Sequence, residues 1–324
     1  MPPEFHQAFQ QETMPDVREL PKHAPTNSFL QGISQSVRDS RPFEMNLAIA
    51  IRRNDQEHYM GGWYGQVGQK LNQSRMVLNF IAGQNRFESS LTPFPTNGES
   101  ISQICDGRFL YTLVQNQEDH HLEFIDLRKI QEVREGKQRG QHPDPTNWIA
   151  TGGLASLIEN LSLAFEFIEP QVREIDGLQV CRVDGIWRSE DIRELLNGQV
   201  AEDQLAPEIV WHQLPPQLPH QVSLTLVHNP DLGWLPSKLH YFQFEKTKKH
   251  DDPSDSHRSS LRLVGLFYFS HPKPLSISAE QLIQIDSGDI ETIDATHHYV
   301  HQIYQIELDR QAKSLLEGGD SILR

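Results

Sequence analysis

Sixteen histidines stand among the 324 residues of this chain, and the densest group, His297-His298-Tyr299-Val300-His301, invites a metal. On a helix, His297 and His301 lie one turn apart and can both reach a zinc ion; on a strand they share a face with Tyr299. No HExxH pattern and no paired cysteines accompany them, so exposed imidazoles are the simpler reading. His120-His121, in what reads as a loop beside Glu118 and Asp119, receives the same reading. Cys105 and Cys181 are the only thiols. Both fall in strand-like segments, so a bridge is possible in an oxidising compartment, and two buried free thiols are the simpler alternative.

Hydrolytic chemistry leaves no local signature. The chain has no G-x-S-x-G elbow, and neither Gly61-Gly62 nor Gly152-Gly153 leads into the Lys-Ser/Thr of a phosphate loop. Asp106, Asp176 and Asp184 each stand beside a glycine, where aspartate forms turns more often than it moves protons. The expectation is a protein without catalytic residues, cofactor or resident metal, with a metal-dependent hydrolase as the least favoured alternative.

The elements that position these residues are mainly strands. Residues 1–25 lack apolar periodicity and contain several prolines, which predicts a flexible arm. A single domain is expected over 26–310 and a short tail over 311–324. Thr26, Asn27 or Ser28 can cap a helix whose Phe29, Leu30, Ile33 and Val37 form one buried stripe. Phe43, Met45, Leu47, Ile49 and Ile51 alternate with smaller or polar residues as a half-buried strand does. A return strand follows at 58–66, where Gly61, Gly62 and Gly65 suggest a bulge or strong curvature. Further strands are expected at 75–81 and 85–91 and as a meander over 100–126, turning on Asp106-Gly107 with the positive dihedrals of a two-residue hairpin.

A short helix over 127–136 and a polar loop over 138–145 precede an amphipathic helix marked by Leu154, Leu157, Ile158, Leu161 and Phe165. A second Asp-Gly turn, Asp176-Gly177, joins strands 167–175 and 178–187. A helical stretch at 189–197 and a proline-rich connection over 205–219 lead to strands at 222–227, 238–244 and 261–269, the last two joined by a charged loop. Closing strands are expected within 275–285 and 290–309, then a helical tail at 311–316. The fold class is mainly β (α+β): a curved antiparallel sheet whose hollow is covered by a few helices or left available to an apolar ligand. Trp63, Leu78, Phe80, Phe109, Tyr111, Leu239, Tyr241, Leu266 and Tyr268 are the candidate lining of that hollow, against the ordinary alternative that they form core.

A formal charge of −15 argues against nucleic acid and anionic membrane surfaces as main partners. The composition, 37% hydrophobic and 23% charged, predicts a soluble chain with no transmembrane segment. The first 25 residues lack the basic-then-apolar layout of a secretory signal.

Several segments together resemble the LolA-type outer-membrane lipoprotein carriers and their relatives, the RseB-like sensors and LppX-like proteins. The helix and first strand pair, SFLQGISQSVRDSRPFEMNLAIAIRR with HYMGGWYGQ, is similar to the family's opening, and Cys105-Asp106-Gly107-Arg108-Phe109-Leu110-Tyr111 resembles its Ser-Asp-Gly-Lys-x-Leu-Trp hairpin. Gly153 to Asn160 is similar to its lid-helix region, and Leu235-Pro236-Ser237-Lys238-Leu239 to the stretch before its late strands. The resemblance spans roughly residues 28–303 and departs at Gln69-Lys70-Leu71-Asn72, where the family carries Arg-Pro. It implies an unclosed β-barrel with helices as a lid over a hydrophobic cavity. It further implies a periplasmic or cell-envelope protein that carries or senses lipid or lipid-modified proteins, with a protein-interaction module of filled cavity as the alternative.

Overall fold

The computed structural model describes residues 26–53, 56–67, 73–81, 96–115, 120–135, 153–187, 219–244, 261–285, 290–298 and 300. The N-terminal arm, the strand at 85–91, the loop at 138–145, the helix at 189–197, almost all of the 205–219 connection, the charged loop before residue 261 and everything from 301 onward lie outside the described residues.

Among the described residues thirteen strands form one sheet in the order β13-β6-β5-β4-β3-β2-β1-β12-β11-β10-β9-β7, with β8 also on β9. The first six are β1 (Phe43–Arg53), β2 (Gln56–Val67), β3 (Gln73–Ile81), β4 (Thr96–Cys105), β5 (Phe109–Gln115) and β6 (His120–Asp126). They pair in chain order as an antiparallel meander. The others are β7 (Phe165–Phe167), β8 (Gln171–Ile175), β9 (Leu178–Trp187), β10 (Gln221–Asn229), β11 (Gly233–Phe244), β12 (Leu261–Pro274) and β13 (Glu291–Asp294). The two halves join where β12 pairs antiparallel with β1. The ends of the strand order do not pair with each other, so the curved sheet is not closed into a barrel.

Four helices of the described residues accompany the sheet: α1 (Thr26–Asp39), α2 (Leu127–Glu135), α3 (Gly153–Ala164) and α4 (Ala279–Ile283). Leu30, Ile33 and Val37 form the buried stripe of α1, as the three-to-four spacing requires. That stripe and Leu154, Leu157, Ile158 and Leu161 of α3 share one core with Met45, Leu47, Ile49 and Tyr64 of the sheet. We call the sheet face that carries these residues the inner face. Leu282 of α4 instead lies over Gly65 beside Trp63, on the outer face.

Several expectations change. The first Asp-Gly turn is shifted by one residue: the Asp106 N–H donates to the Phe109 carbonyl, so Gly107 and Arg108 occupy the corner. Only Gly107 has a positive φ there, 96°, because the Asp106 carboxylate accepts from the Arg108 and Phe109 amides and fixes the turn from its own side. The second turn has the expected form, with Asp176 at φ 52° and Gly177 at φ 77°. The glycines of β2 make no bulge, since its register with β1 and β3 is unbroken. A Cβ on Gly62 would overlap the Val77 carbonyl, so this glycine serves close approach of β3.

Phe165 leaves the helix to begin β7 and is buried there. Within 275–285 Ser278 and Gln281 form a capping box, which starts α4 where a closing strand was expected. Within the described part of 290–309 the only strand is β13, parallel to β6. The Asp294 carboxylate then accepts from the Thr296 amide and turns the chain into a helical stretch. His120 and His121 open β6 and are not in a loop. Asp184 is not a turn residue: it lies buried within β9, and both its carboxylate oxygens accept from Arg182 Nε, at 3.0 and 3.1 Å.

Both cysteines are free and buried. They stand on β4 and β9, seven places apart in the strand order, whereas a disulfide needs Cα atoms within about 7 Å. Burial pushes both thiols from an ordinary 9.0 up to about 11. A group whose folded pKa is raised contributes stability that is complete below its unfolded pKa and is lost as pH rises through the folded one. Native protein should therefore resist thiol labelling at neutral pH while urea-unfolded protein labels at both cysteines. Its unfolding free energy should fall between about pH 9 and 11, and a C105A/C181A variant should lose less over that window. Rapid labelling of the native state at neutral pH would contradict this account.

Candidate functional site

The inner face is closed at its centre by one hydroxyl. Tyr64 Oη accepts from the Leu154 amide at 3.0 Å, the first turn of α3, and donates to Gln66 Oε1 at 2.7 Å. Gln66 Nε2 in turn donates to the Val37 carbonyl of α1 at 3.3 Å. Two residues of β2 thus fasten both helices, and burial drives the Tyr64 pKa upward, so the phenol remains a donor. Gly153, at φ 66°, starts α3 with no room for a side chain, because a Cβ there would fall on Tyr64 Oη. Ser34 Oγ donates to the Ala155 carbonyl at 2.8 Å and Arg38 pairs with Glu159, so α1 and α3 are also tied to each other.

Away from these helices the same face opens. Directly paired residues of a sheet share a face. One row therefore runs Phe269, Leu47, Gly62, Leu78, Ile101, Val114, His121, Glu291 across β12, β1, β2, β3, β4, β5, β6 and β13. The next runs Met45, Tyr64, Met76, Gln103, Thr112, Glu123, Ile293. Phe269, Leu47, Leu78, Tyr64 and Met76 are buried, but Ile101, Gln103, Thr112, Val114, His121 and Glu123 are all half-exposed. The third row ends in Cys105, Leu110 and Ile125, which are sealed by Ile130 of α2 and by Ala295. The result is an amphipathic shelf on β4–β6, bounded by the packed core on one side and α2 at one end.

Of the nine residues expected to line a hollow, Leu78, Leu239 and Tyr241 are on the inner face. Leu78 adjoins the shelf, whereas Leu239 and Tyr241 are packed in the core, Tyr241 edge-on to Phe267 at 6.0 Å. Phe80 pairs with Met60, and its side chain lies outside the described residues. Trp63, Phe109, Tyr111, Leu266 and Tyr268 pair with outer-face residues. Phe109 and Tyr111 pack there against Phe124, with the Arg108 guanidinium 4.7 Å from the Phe109 ring centroid. Leu266 belongs to a small outer core with Ala50, Phe242 and Leu263, and Tyr268 packs against it.

The shelf residues Ile101, Gln103, Thr112, Val114, His121 and Glu123 were not singled out from sequence. Their signal was the alternation within 100–126; choosing by aromatic size selected the opposite parity.

His297 is exposed, and Tyr299 and His301 lie outside the described residues. Among the described residues no three His, Cys, Asp or Glu side chains are placed to hold a metal ion. Asp184, Ser223 and His240 do stand in one outer-face row, on β9, β10 and β11. Ser223 occupies the middle, whereas a relay needs the imidazole between serine and acid, and Arg182 already engages the Asp184 carboxylate.

In architecture the chain agrees with the LolA-type resemblance: one large curved antiparallel sheet, unclosed, with few helices. The sequence matches no protein-family profile and no curated protein. Among solved structures, the chain is similar to an uncharacterized conserved protein from Thermus thermophilus, at 8% identity over 82% of this chain and 98% of that one, with a TM-score of 0.38. It is also similar to a LolA superfamily protein from Nitrosomonas europaea (12% identity, 82% and 100% covered, TM-score 0.29). A third is LprF from Mycobacterium bovis (13% identity, 80% and 98% covered, TM-score 0.34).

Tyr64→Phe should lower the unfolding free energy by about 2–3 kcal/mol, since the Leu154 amide and the Gln66 side chain each lose a buried partner. It should also speed hydrogen exchange at Leu154. Gly153→Ala, which adds a steric overlap to an unfavourable φ, should cost at least as much. Urea unfolding checks both, and a loss below about 0.5 kcal/mol for Tyr64→Phe would remove the hydroxyl from its assigned role.

Proposed function

We propose that this protein is a non-enzymatic binding protein of the cell envelope that takes a lipid, or the acyl chains of a lipid-modified protein, on its inner face. The observation that carries the reading is the shelf: one apolar row passes from sealed core at Leu78 to half-exposed Ile101 and Val114. Beside it Gln103 and Thr112 supply hydrogen-bonding groups to a polar end. A chain laid along Ile101 and Val114 would gain about 25 cal/mol per Å2 of apolar surface removed from water. A larger ligand would require α3 to lift, breaking the Tyr64–Leu154 bond. The cell-envelope setting rests on the family resemblance, and the helices of the described residues include none long and apolar enough to cross a membrane.

A second reading, a protein-interaction or sensor module, is favoured by two observations. The space between α1, α3 and the sheet is filled by the protein's own side chains. On β8 and β9, Val172, Ile175 and Leu178 are exposed by 56, 52 and 48%, more apolar surface than a strand edge ordinarily leaves in water.

Titration with a fluorescent fatty acid separates the two. Ile101→Asp and Val114→Asp should each weaken uptake by about tenfold or more, the effect of placing a charge in an apolar contact. Trp63→Ala and Tyr268→Ala, on the outer face, should leave it within about twofold. Absence of uptake by the unaltered protein would end the lipid reading and leave the interaction module.

A further inference from the structure

Arg75 lies on the outer face of β3, opposite Gly65 on β2 and Ile104 on β4. It is half-buried, and among the described residues it makes one hydrogen bond, from Nη1 to the carbonyl of Gln284, the C-cap of α4, at 3.2 Å. Its Nε is sealed from solvent with no acceptor. No carboxylate among the described residues pairs with this guanidinium, in a chain whose formal charge is −15. A half-buried cation whose sealed Nε has no acceptor and whose Nη1 meets only a neutral carbonyl is under-compensated, because charge-assisted bonds to carboxylate or phosphate are about twice as strong as neutral ones.

A second orphan is close by. Ser102, 6% exposed, points its Oγ to the same face one position along β4, and that oxygen also has no partner. Diagonal neighbours of an antiparallel pair lie about 7–8 Å apart, within reach of a long side chain. Buried polar groups without partners are rare enough that two on neighbouring strands require an explanation. Both face the layer containing α4, a five-residue helix held over Gly65 by Leu282.

We propose that Arg75 and Ser102 form a binding site for a small oxyanion of the carboxylate or phosphate class, closed in this structure by α4. The anion takes the guanidinium edge from the Gln284 carbonyl and accepts from the Ser102 hydroxyl, and α4 shifts to admit it. The site is on the opposite sheet face from the proposed lipid shelf and is independent of it. Burial lowers the Arg75 pKa, the direction expected for a cation that lacks a counter-charge.

The test follows the Arg75 Nε–H resonance by nitrogen-15 NMR of the full chain in chloride-free buffer, titrated separately with inorganic phosphate and with acetate. A saturable shift of this resonance with either anion, weakened severalfold in Ser102→Ala, supports the site; in Arg75→Lys, followed through the Leu282 amide resonance instead, the anion affinity should fall about tenfold. Leu282, whose amide bonds to the Ser278 carbonyl in α4, should then exchange faster when the anion is bound. The responding anion identifies the class. No saturable shift up to about 50 mM, a contact of Nε–H with ordered water only, or a shift indifferent to Ser102→Ala overturns the proposal. Should Arg75→Lys fail to fold, the unaltered protein and Ser102→Ala still decide between these outcomes.

Discussion

The hydroxyl of Tyr64 is the contact on which the arrangement of helices over sheet depends. It is one of the largest fully buried side chains, and a phenol in such a place must find partners or forfeit the stability that its burial supplies. It finds the Leu154 amide in the first turn of α3 and the Gln66 side chain, and Gln66 passes the connection to α1. The helix start therefore needs a glycine at 153, the glycine needs a positive φ, and α3 can lie across the sheet in only one way. The aliphatic contacts around it contribute more area, but they are non-directional and would tolerate a sliding helix. The hydrogen bonds fix where it stops.

That fixed position divides the inner face in two. Under α1 and α3 the strands are lined by large aliphatic and aromatic residues packed to exclusion of solvent. On β4–β6 the same rows change to Gln103, Thr112, Glu123 and His121, residues that a sealed core would not accommodate without partners. Among the described residues the change of composition along each row coincides with the end of the cover by α1 and α3, which is the basis of the proposed binding surface. The outer face is divided as well: a small core around Leu266 and Phe242, the buried Asp184 paired with a half-buried Arg182, and the α4 layer over Trp63 and Arg75.

Much of this architecture could be read from residue order. The stripe of Leu30, Ile33 and Val37, the alternation of Phe43 to Ile51 and the Asp176-Gly177 turn each reflect local chemistry, and each is where that chemistry puts it. The misreadings share a cause. Asp106-Gly107 has the same two residues as the second turn, yet its carboxylate captures two following amides and moves the corner by one. In 275–285 apolar residues spaced as in a strand were overruled by the Ser278–Gln281 capping box. Phe109 and Tyr111 carry the apolar mass expected of a cavity wall, but strand parity sends them outward.

The sequence by itself determined the mainly β class, the meander, the two inner helices and the places of the sharpest turn, because periodicity, capping and glycine preference act over a few residues. Only the tertiary structure decided which parity of each strand faces the helices, that β12 would join the two halves against β1, and that β13 would lie parallel on β6. It also decided that Arg75 and Ser102 would share a layer with α4. Those outcomes depend on which distant segments meet, and neither a residue's own type nor its immediate neighbours encode its partner across the sheet.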